Sequence, residues 1–226
     1  MSAGSRSAEG SSKNREAAFG PSHRVEAAAL DSRNGRPPEA TRAAVFLDRD
    51  GVLNDQTGFV NKPEDMNLLP GAAAAVARLN RAGIPVVVVT NQGGIALGYL
   101  TENDLAAINE RMAQLLAAEG AHVDALFYCP HYANGTVTRY VQQCPDRKPG
   151  TGMLEKARDA LGIDLRTSVL VGDATTDILA GIRAGCRTVL VRTGLAGKDG
   201  KAVAEPDYAV ADLSEAVELI LTELIR

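Results

Sequence analysis

The chain has 226 residues, 45% of them hydrophobic, enough for one well-cored domain with an appendage. A net charge of -4 offers no basic surface of the kind that sequence-independent nucleic-acid binding requires, and 4% aromatic residues with no Trp provide no platform for stacking bases, so nucleic acid is not an expected partner. The longest apolar run, 84–89, suits a buried strand rather than a membrane span, and three cysteines (Cys129, Cys144 and Cys186) make no disulfide framework. With no signal-peptide pattern at the start, the expectation is a protein of the reducing cytoplasm that does not engage a membrane, with a monomer as the default.

Residues 1–42 mix Ser, Gly, Ala, Arg and Glu with almost no large apolar residue, and include Asn34-Gly-Arg-Pro-Pro38. Such a segment buries too little to offset its ordering entropy and reads as a disordered tail ahead of a domain at 43–226. Interspersed acids, among them Glu9, Glu16 and Glu26, count against a transit peptide. From Ala43 onward, short β-branched runs alternate with Ala/Leu-rich stretches of helical period. Strands are expected at 45–47, 85–89, 125–128, 168–171 and 188–191, and helices at 72–82, 102–119, 153–161, 177–184 and 214–225. This alternation predicts right-handed βαβ units, hence an α/β fold with a doubly wound, mostly parallel sheet flanked by helices. In such sheets ligands bind beyond the carboxyl ends of the strands.

Four strand exits carry polar chemistry. The first is Val45-Phe-Leu-Asp48-Arg49-Asp50-Gly51-Val52, where two carboxylates one residue apart end an apolar run. On an extended backbone residues i and i+2 point the same way, and like charges at close range recruit a cation or force one group to hold a proton. The second is Val89-Thr90-Asn91-Gln92-Gly93-Gly94, rich in the hydroxyl, amide and backbone N–H donors that bind phosphate. The third is Arg147-Lys148-Pro149-Gly150, two cations ahead of a helix N-terminus. The fourth is Val171-Gly172-Asp173-Ala-Thr-Thr-Asp177, one carboxylate at the exit and another that either joins it or caps the next helix. Each of these also fits an ordinary turn when taken singly; their order and spacing together carry the information.

The set Asp-x-Asp-Gly-Val, Thr-Asn, Lys and Gly-Asp-x-x-x-Asp resembles the four motifs of the haloacid dehalogenase (HAD) superfamily of phosphotransferases, from about Val45 to the C-terminus. More closely, Asp48-Arg-Asp-Gly-Val-Leu-Asn54, Val89-Thr-Asn-Gln-Gly-Gly-Ile-Ala96, Tyr128-Cys-Pro-His131 and Arg147-Lys-Pro-Gly-Thr-Gly-Met153 are similar to the D-glycero-D-manno-heptose 1,7-bisphosphate phosphatase family, whose neighbours include the histidinol-phosphate phosphatases. The resemblance implies an HAD-like Rossmannoid domain, with gaps between motifs too short for a separate cap domain. It implies phosphate monoester hydrolysis with Mg²⁺ held by Asp48, the Asp50 main-chain carbonyl and Asp173. Asp48 would attack phosphorus, Asp50 would serve as acid and base, and Thr90, Asn91, Gln92 and Lys148 would bind the phosphoryl group. Arg147 matches an arginine that engages the distal end of a phosphorylated sugar substrate. Ala174 and Leu97 stand where a basic residue is frequent in that family, which removes cations suited to a second phosphate. Histidinol phosphate, another small ester, and a non-catalytic phosphosugar-binding role therefore stand beside the heptose bisphosphate as alternatives.

Cys129-Pro-His131 and Cys144-Pro-Asp146 flank one loop, and thiolates and an imidazole in tight turns suit tetrahedral Zn²⁺. The resembling family has Cys-x-His and Cys-x-Cys here, whereas this chain has Asp146 in the last place. A structural zinc site of Cys129, His131, Cys144 and Asp146 is the resulting expectation, with two free cysteines and a surface histidine as its alternative. Its task would be to hold the loop so that Arg147 and Lys148 reach the site. Substrate choice is expected to lie in loops 55–65 and 132–143.

Overall fold

The computed structural model describes residues 42–55 and 58–225. Apart from Arg42, which bridges Ile163, the expected tail at 1–42 lies outside the described residues. Six strands form one sheet: β1 (Val45–Leu47), β2 (Val86–Asn91), β3 (Ala125–Cys129), β4 (Val169–Gly172), β5 (Arg187–Val191) and β6 (Tyr208–Val210), in the spatial order β3-β2-β1-β4-β5-β6. Every pairing is parallel. A parallel sheet is covered on both faces, which is why its central strands are apolar throughout.

The period-2 alternation of side chains divides the core in two. Val45, Leu47, Val86, Val88, Val169 and Val171 pack with α1 (Ala72–Arg81), α2 (Glu102–Ala118) and α5 (Leu213–Leu219). Phe46, Val87, Val89 and Leu170 face the other way onto α3 (Gly152–Leu161) and α4 (Thr175–Ala184). Local chemistry starts the helices: Thr101 Oγ1 accepts the Asp104 N–H at 3.2 Å while the Asp104 carboxylate accepts the Thr101 N–H at 2.8 Å, a reciprocal cap for α2.

Two differences from the sequence expectation stand out. Strand β6 was not expected; it is three residues long, on the sheet edge, and its register is set by Asp207, whose carboxylate accepts the Thr188 N–H at 2.7 Å. The last helix is α-helical only to Leu219 and continues as a π-helical turn over Ile220–Leu224, which keeps both Ile220 and Leu224 buried. Among the described residues no domain is inserted between the motifs, and no helix is long and apolar enough to cross a membrane.

The chain leaves β1 to form β2 on one side and later β4 on the other, so the direction of winding reverses beside β1. The crevice at the carboxyl ends of β1, β2 and β4 is the ligand-binding place in this topology. Phe46, fully buried at the middle of β1, ties that strand to the α3–α4 layer. Phe46→Ala removes a buried ring from the centre of the sheet and is expected to destabilise the fold by about 3–5 kcal/mol, read as a lower urea midpoint with an unchanged m-value.

Candidate active site

The peptide N–H of Asp48 continues the parallel ladder by bonding to Val171 O at 3.0 Å, so its side chain leaves β1 at the crevice. There Asp48 Oδ1 lies 2.8 Å from Lys148 Nζ. The same ammonium reaches Asp177 Oδ1 at 2.7 Å and donates to Val89 O at 2.7 Å. The ammonium thus donates to one carbonyl and is ion-paired with two carboxylates, while Asp48 Oδ1, beside it, accepts no hydrogen bond of good geometry. Lys148 is only 3% exposed, and burial alone would lower its pKa; Asp177 and then Asp48 outweigh that and hold it above the usual lysine value.

Asn91 aims the lysine. Its carboxamide donates to Lys148 O at 3.0 Å and accepts the Lys148 N–H at 3.0 Å, a two-bond clamp across the gap between β2 and the loop before α3. Gln92 is similarly engaged, donating to Asp50 Oδ2 at 2.8 Å and Thr90 Oγ1 at 2.9 Å. Of these two expected phosphate binders, Asn91 thus holds Lys148 and Gln92 holds Asp50. Buried Thr90 keeps its hydroxyl at the exit of β2.

Asp50 points away from the lysine. The buried Arg49 guanidinium grips its carboxylate at 2.9 and 3.0 Å, Asn54 Nδ2 adds a bond at 3.0 Å, and Arg49 is itself anchored to Asn109 of α2 at 3.2 Å. Burial would raise the Asp50 pKa, but Arg49, followed by the bonds from Asn54 and Gln92, brings it below the ordinary value. Asp48 goes the other way: burial pushes it well up, Lys148 opposes, and Asp177, Asp173 and Asp50 add to the rise.

Asp173 closes the cluster at the exit of β4. One oxygen accepts the Leu195 N–H at 2.6 Å; the other, Oδ1, is buried with no hydrogen-bond partner. Burial pushes its pKa up to about 7, against the Leu195 bond. Ligand oxygens of Asp48, Asp173 and Asp177 lie within 4.8 Å of one another. A buried orphan oxygen inside a group of carboxylates is a hard-cation donor set, and these residues fit Mg²⁺. Asp50, turned to Arg49, has only its main-chain carbonyl to offer a cation.

Two glycines make this crowding possible. A Cβ on Gly172 would overlap the Asp177 side chain, and one on Gly194, where φ is 60°, would overlap the Asp173 carboxylate and Gly51. Asp177 was read only as an exit carboxylate or a helix cap; it does both, since its Oδ2 also accepts the Ala174 N–H at 3.0 Å. Arg49, Asn54, Asn109 and the 193–195 turn were missed. Arg49 is visible only as the intervening residue of Asp-x-Asp, and Asn109, 60 residues away, carries no motif.

Arg147 projects at the edge of the same crevice. It donates to His131 O at 3.1 Å and its guanidinium stacks 4.8 Å above the Tyr132 ring, beside Gly93. Among the described residues no carboxylate pairs with it. Cys129, His131 and Cys144 bring metal-ligating atoms within 4.8 Å of one another, and burial pushes the Cys129 thiol up to about 12. Asp146 is not in that group: its Oδ2 pairs with Lys156 Nζ at 2.5 Å, which corrects its expected place as the fourth zinc ligand. Cys186 is buried in the core, as expected.

Comparison with known proteins agrees with this geometry. The family model for haloacid dehalogenase-like hydrolases matches residues 45–119, and a HAD-hydrolase-like model matches 146–216. A D-glycero-D-manno-heptose-1,7-bisphosphate 7-phosphatase of Thermosynechococcus vestitus is 44% identical over 191 residues, covering 81% of this chain and 97% of its own. The D-glycero-beta-D-manno-heptose-1,7-bisphosphate 7-phosphatase of Escherichia coli K12 is 43% identical over 152 residues, 67% of this chain and 80% of that one. Among solved structures, the D,D-heptose 1,7-bisphosphate phosphatase of B. bronchiseptica, complexed with magnesium and phosphate, superposes with a TM-score of 0.72 at 36% identity, covering 80% of this chain and 99% of that one. The chain belongs to the haloacid dehalogenase-like hydrolases and, within them, to the heptose-bisphosphate phosphatase family of phosphoric monoester hydrolases.

Proposed function

We propose that the protein is a Mg²⁺-dependent phosphatase that removes the 7-phosphate of D-glycero-D-manno-heptose 1,7-bisphosphate through an aspartyl-phosphate on Asp48. The observation that carries this reading is the meeting of Asp48 and Asp177 on one buried ammonium at the strand exits, with Asp173 beside them and Asp50 held apart. Spontaneous hydrolysis of a phosphate monoester is so slow that catalysis of up to about 10²¹-fold is called for, and a dianion repels a carboxylate nucleophile. Asp48, Asp173 and the Asp50 main-chain carbonyl would hold Mg²⁺, which would supply the charge neutralisation that two approaching anions need.

The chain's own residues do the rest. Asp48 is the nucleophile because it faces the cation donor set and Lys148, whose charge damps its own and that of the arriving phosphoryl group. Its oxygen forms the new bond to phosphorus as the ester P–O bond breaks. The leaving oxygen takes a proton from Asp50. Water then attacks the aspartyl-phosphate, passes a proton back to Asp50, and phosphate leaves with Asp48 restored. Asp50 rests as a carboxylate; the incoming dianion raises its proton affinity, and the proton it passes to the leaving oxygen is taken up from solvent. Thr90 supplies a hydroxyl to the phosphoryl group. Arg147, a cation unpaired by any carboxylate among the described residues, engages the distal end of the substrate and supports a bisphosphate despite Ala174 and Leu97.

Phosphate release from heptose bisphosphates, sugar monophosphates and histidinol phosphate, with and without Mg²⁺, tests the assignment. The 1,7-bisphosphate is expected to give the highest kcat/KM and EDTA to abolish it; preference for histidinol phosphate would overturn the substrate. Asp48→Asn is expected to fold normally and to lose about a thousandfold or more of kcat, and substantial residual turnover would remove Asp48 from the nucleophile's role.

Lys148→Met leaves Asp48 and Asp177 buried without their cation and is expected to cost about 3–5 kcal/mol of stability at pH 8. Carboxylates with folded pKa values above their unfolded ones favour the fold at low pH and lose that advantage as pH rises. The deficit in urea denaturation of the metal-free protein should therefore shrink from pH 8 to pH 5.

A further inference from the structure

The resembling family pairs Cys-x-His with Cys-x-Cys, and this chain departs from it at one position. The reason Asp146 does not simply stand in for the absent thiolate lies in where its side chain goes. Asp146 is buried, and its Oδ2 meets Lys156 Nζ at 2.5 Å. Lys156 lies in the second turn of α3, and the turn from Cys144 coils back on that helix start: the Gly152 N–H bonds to Pro145 O at 3.0 Å, and a Cβ on Gly152 would overlap Asp146 Oδ1. The carboxylate is therefore enclosed by the start of α3 on one oxygen and by an ammonium on the other. That environment satisfies an anion without any metal.

The three remaining donors are arranged differently. Cys129 is fully buried, its Sγ 3.9 Å from His131 Nδ1, and Cys144 completes a group whose ligand atoms all fall within 4.8 Å. Two sulfurs and one imidazole nitrogen at such separations span three vertices of a zinc tetrahedron, whose bonds are about 2.0–2.3 Å long. His131 and Cys144 are both only partly buried, so two of the three donors belong to residues in contact with solvent. A zinc site with three protein ligands and solvent access keeps one position for an exchangeable donor, the arrangement seen where zinc binds a small molecule rather than only bracing a loop.

We propose that the cysteine loop of this chain holds Zn²⁺ through Cys129, His131 and Cys144 alone, with the fourth position open to water or a small exogenous nitrogen or sulfur donor, while Asp146 stays on Lys156. The site is distinct from the carboxylate cluster at Asp48 and stands independently of the substrate assignment. It is coupled to that crevice at one point, since the main-chain carbonyl of His131 accepts from Arg147.

The test is metal binding to the full chain, read without any turnover. Apoprotein is titrated with Zn²⁺ against a chromophoric chelator, X-ray absorption counts the sulfur scatterers, and the Co²⁺-substituted protein is titrated with imidazole. The wild type is expected to take up one Zn²⁺ with two sulfurs and two lighter donors, and its Co²⁺ bands should shift with imidazole. Asp146→Ala should leave affinity within about threefold, and Asp146→Asn, which preserves the side-chain volume at this buried position, gives the same reading if the alanine variant does not fold. Asp146→Cys is expected to add a third sulfur, tighten binding by about tenfold or more and abolish the imidazole response. A wild type that takes up no zinc overturns the proposal. So do a loss of about tenfold or more on replacing Asp146, which would make it a ligand, and an imidazole response that persists in Asp146→Cys.

Discussion

The architecture of the site depends on one buried ammonium. Lys148 pairs with Asp48 after β1 and with Asp177 in the first turn of the helix that follows β4, and it donates to the Val89 carbonyl of β2. A buried ion pair is poor evidence of stabilisation, because desolvation offsets much of the Coulombic gain and a well-packed apolar substitute often does as well. What the arrangement does provide is position. It draws the carboxyl ends of β1, β2 and β4 onto one point, and it keeps three carboxylates together that would otherwise repel. When all are ionised, three carboxylates against one ammonium leave two uncompensated negative charges, the charge of one divalent cation.

Much of the sequence around that point exists to hold it. Asn91 fixes the lysine's backbone with two hydrogen bonds. Gly172 and Gly194 are bare because any side chain would displace Asp177 or Asp173. The 193–197 turn after β5 closes over the cluster, with the Thr193 hydroxyl on Gly51 O at 2.6 Å and the Leu195 N–H on Asp173. These residues act on the reaction through geometry, and misplacement of a reacting group by about 1 Å from such a supporting position is enough to cost about 10²-fold in rate.

The fold was legible because β-branched runs such as Val86-Val-Val-Val89 and the Ala/Leu-rich stretches between them differ sharply in period, so five strands and five helices were read at nearly their observed bounds. Strand β6 escaped because three half-exposed edge residues after Glu205-Pro-Asp207 carry no pattern; Asp207 and Thr188 place it. Within the site, Asp48, Asp50, Lys148 and Asp173 were visible as motif residues. What spacing could not tell was direction. Thr90-Asn91-Gln92 reads as a run of phosphate donors, yet the last two side chains are taken by Lys148 and Asp50, and Asp146 reads as a zinc ligand until Lys156, ten residues on, claims it. Side-chain partners fixed by tertiary contact leave no trace in local sequence, and Arg49 with Asn109 is the clearest case.

Asp48 and Asp50 show how neighbours in sequence acquire opposite chemistry. On an extended backbone both would point into the crevice, but the chain turns after Asp48: the Leu53 and Asn54 N–H groups bond back to Arg49 O at 2.9 and 3.1 Å. That turn delivers Asp50 to Arg49, Asn54 and Gln92, which favour its charged form, and leaves Asp48 among buried carboxylates that disfavour it. A nucleophile in the second environment is held reactive only when positive charge reaches it, from Lys148 and from a cation arriving with substrate. A proton carrier in the first environment stays empty until a dianion approaches. Positive charge therefore holds the nucleophile in its working state while the substrate's negative charge favours the proton on its neighbour, and the one-residue separation between them, followed by a tight turn, is what allows one site to set both.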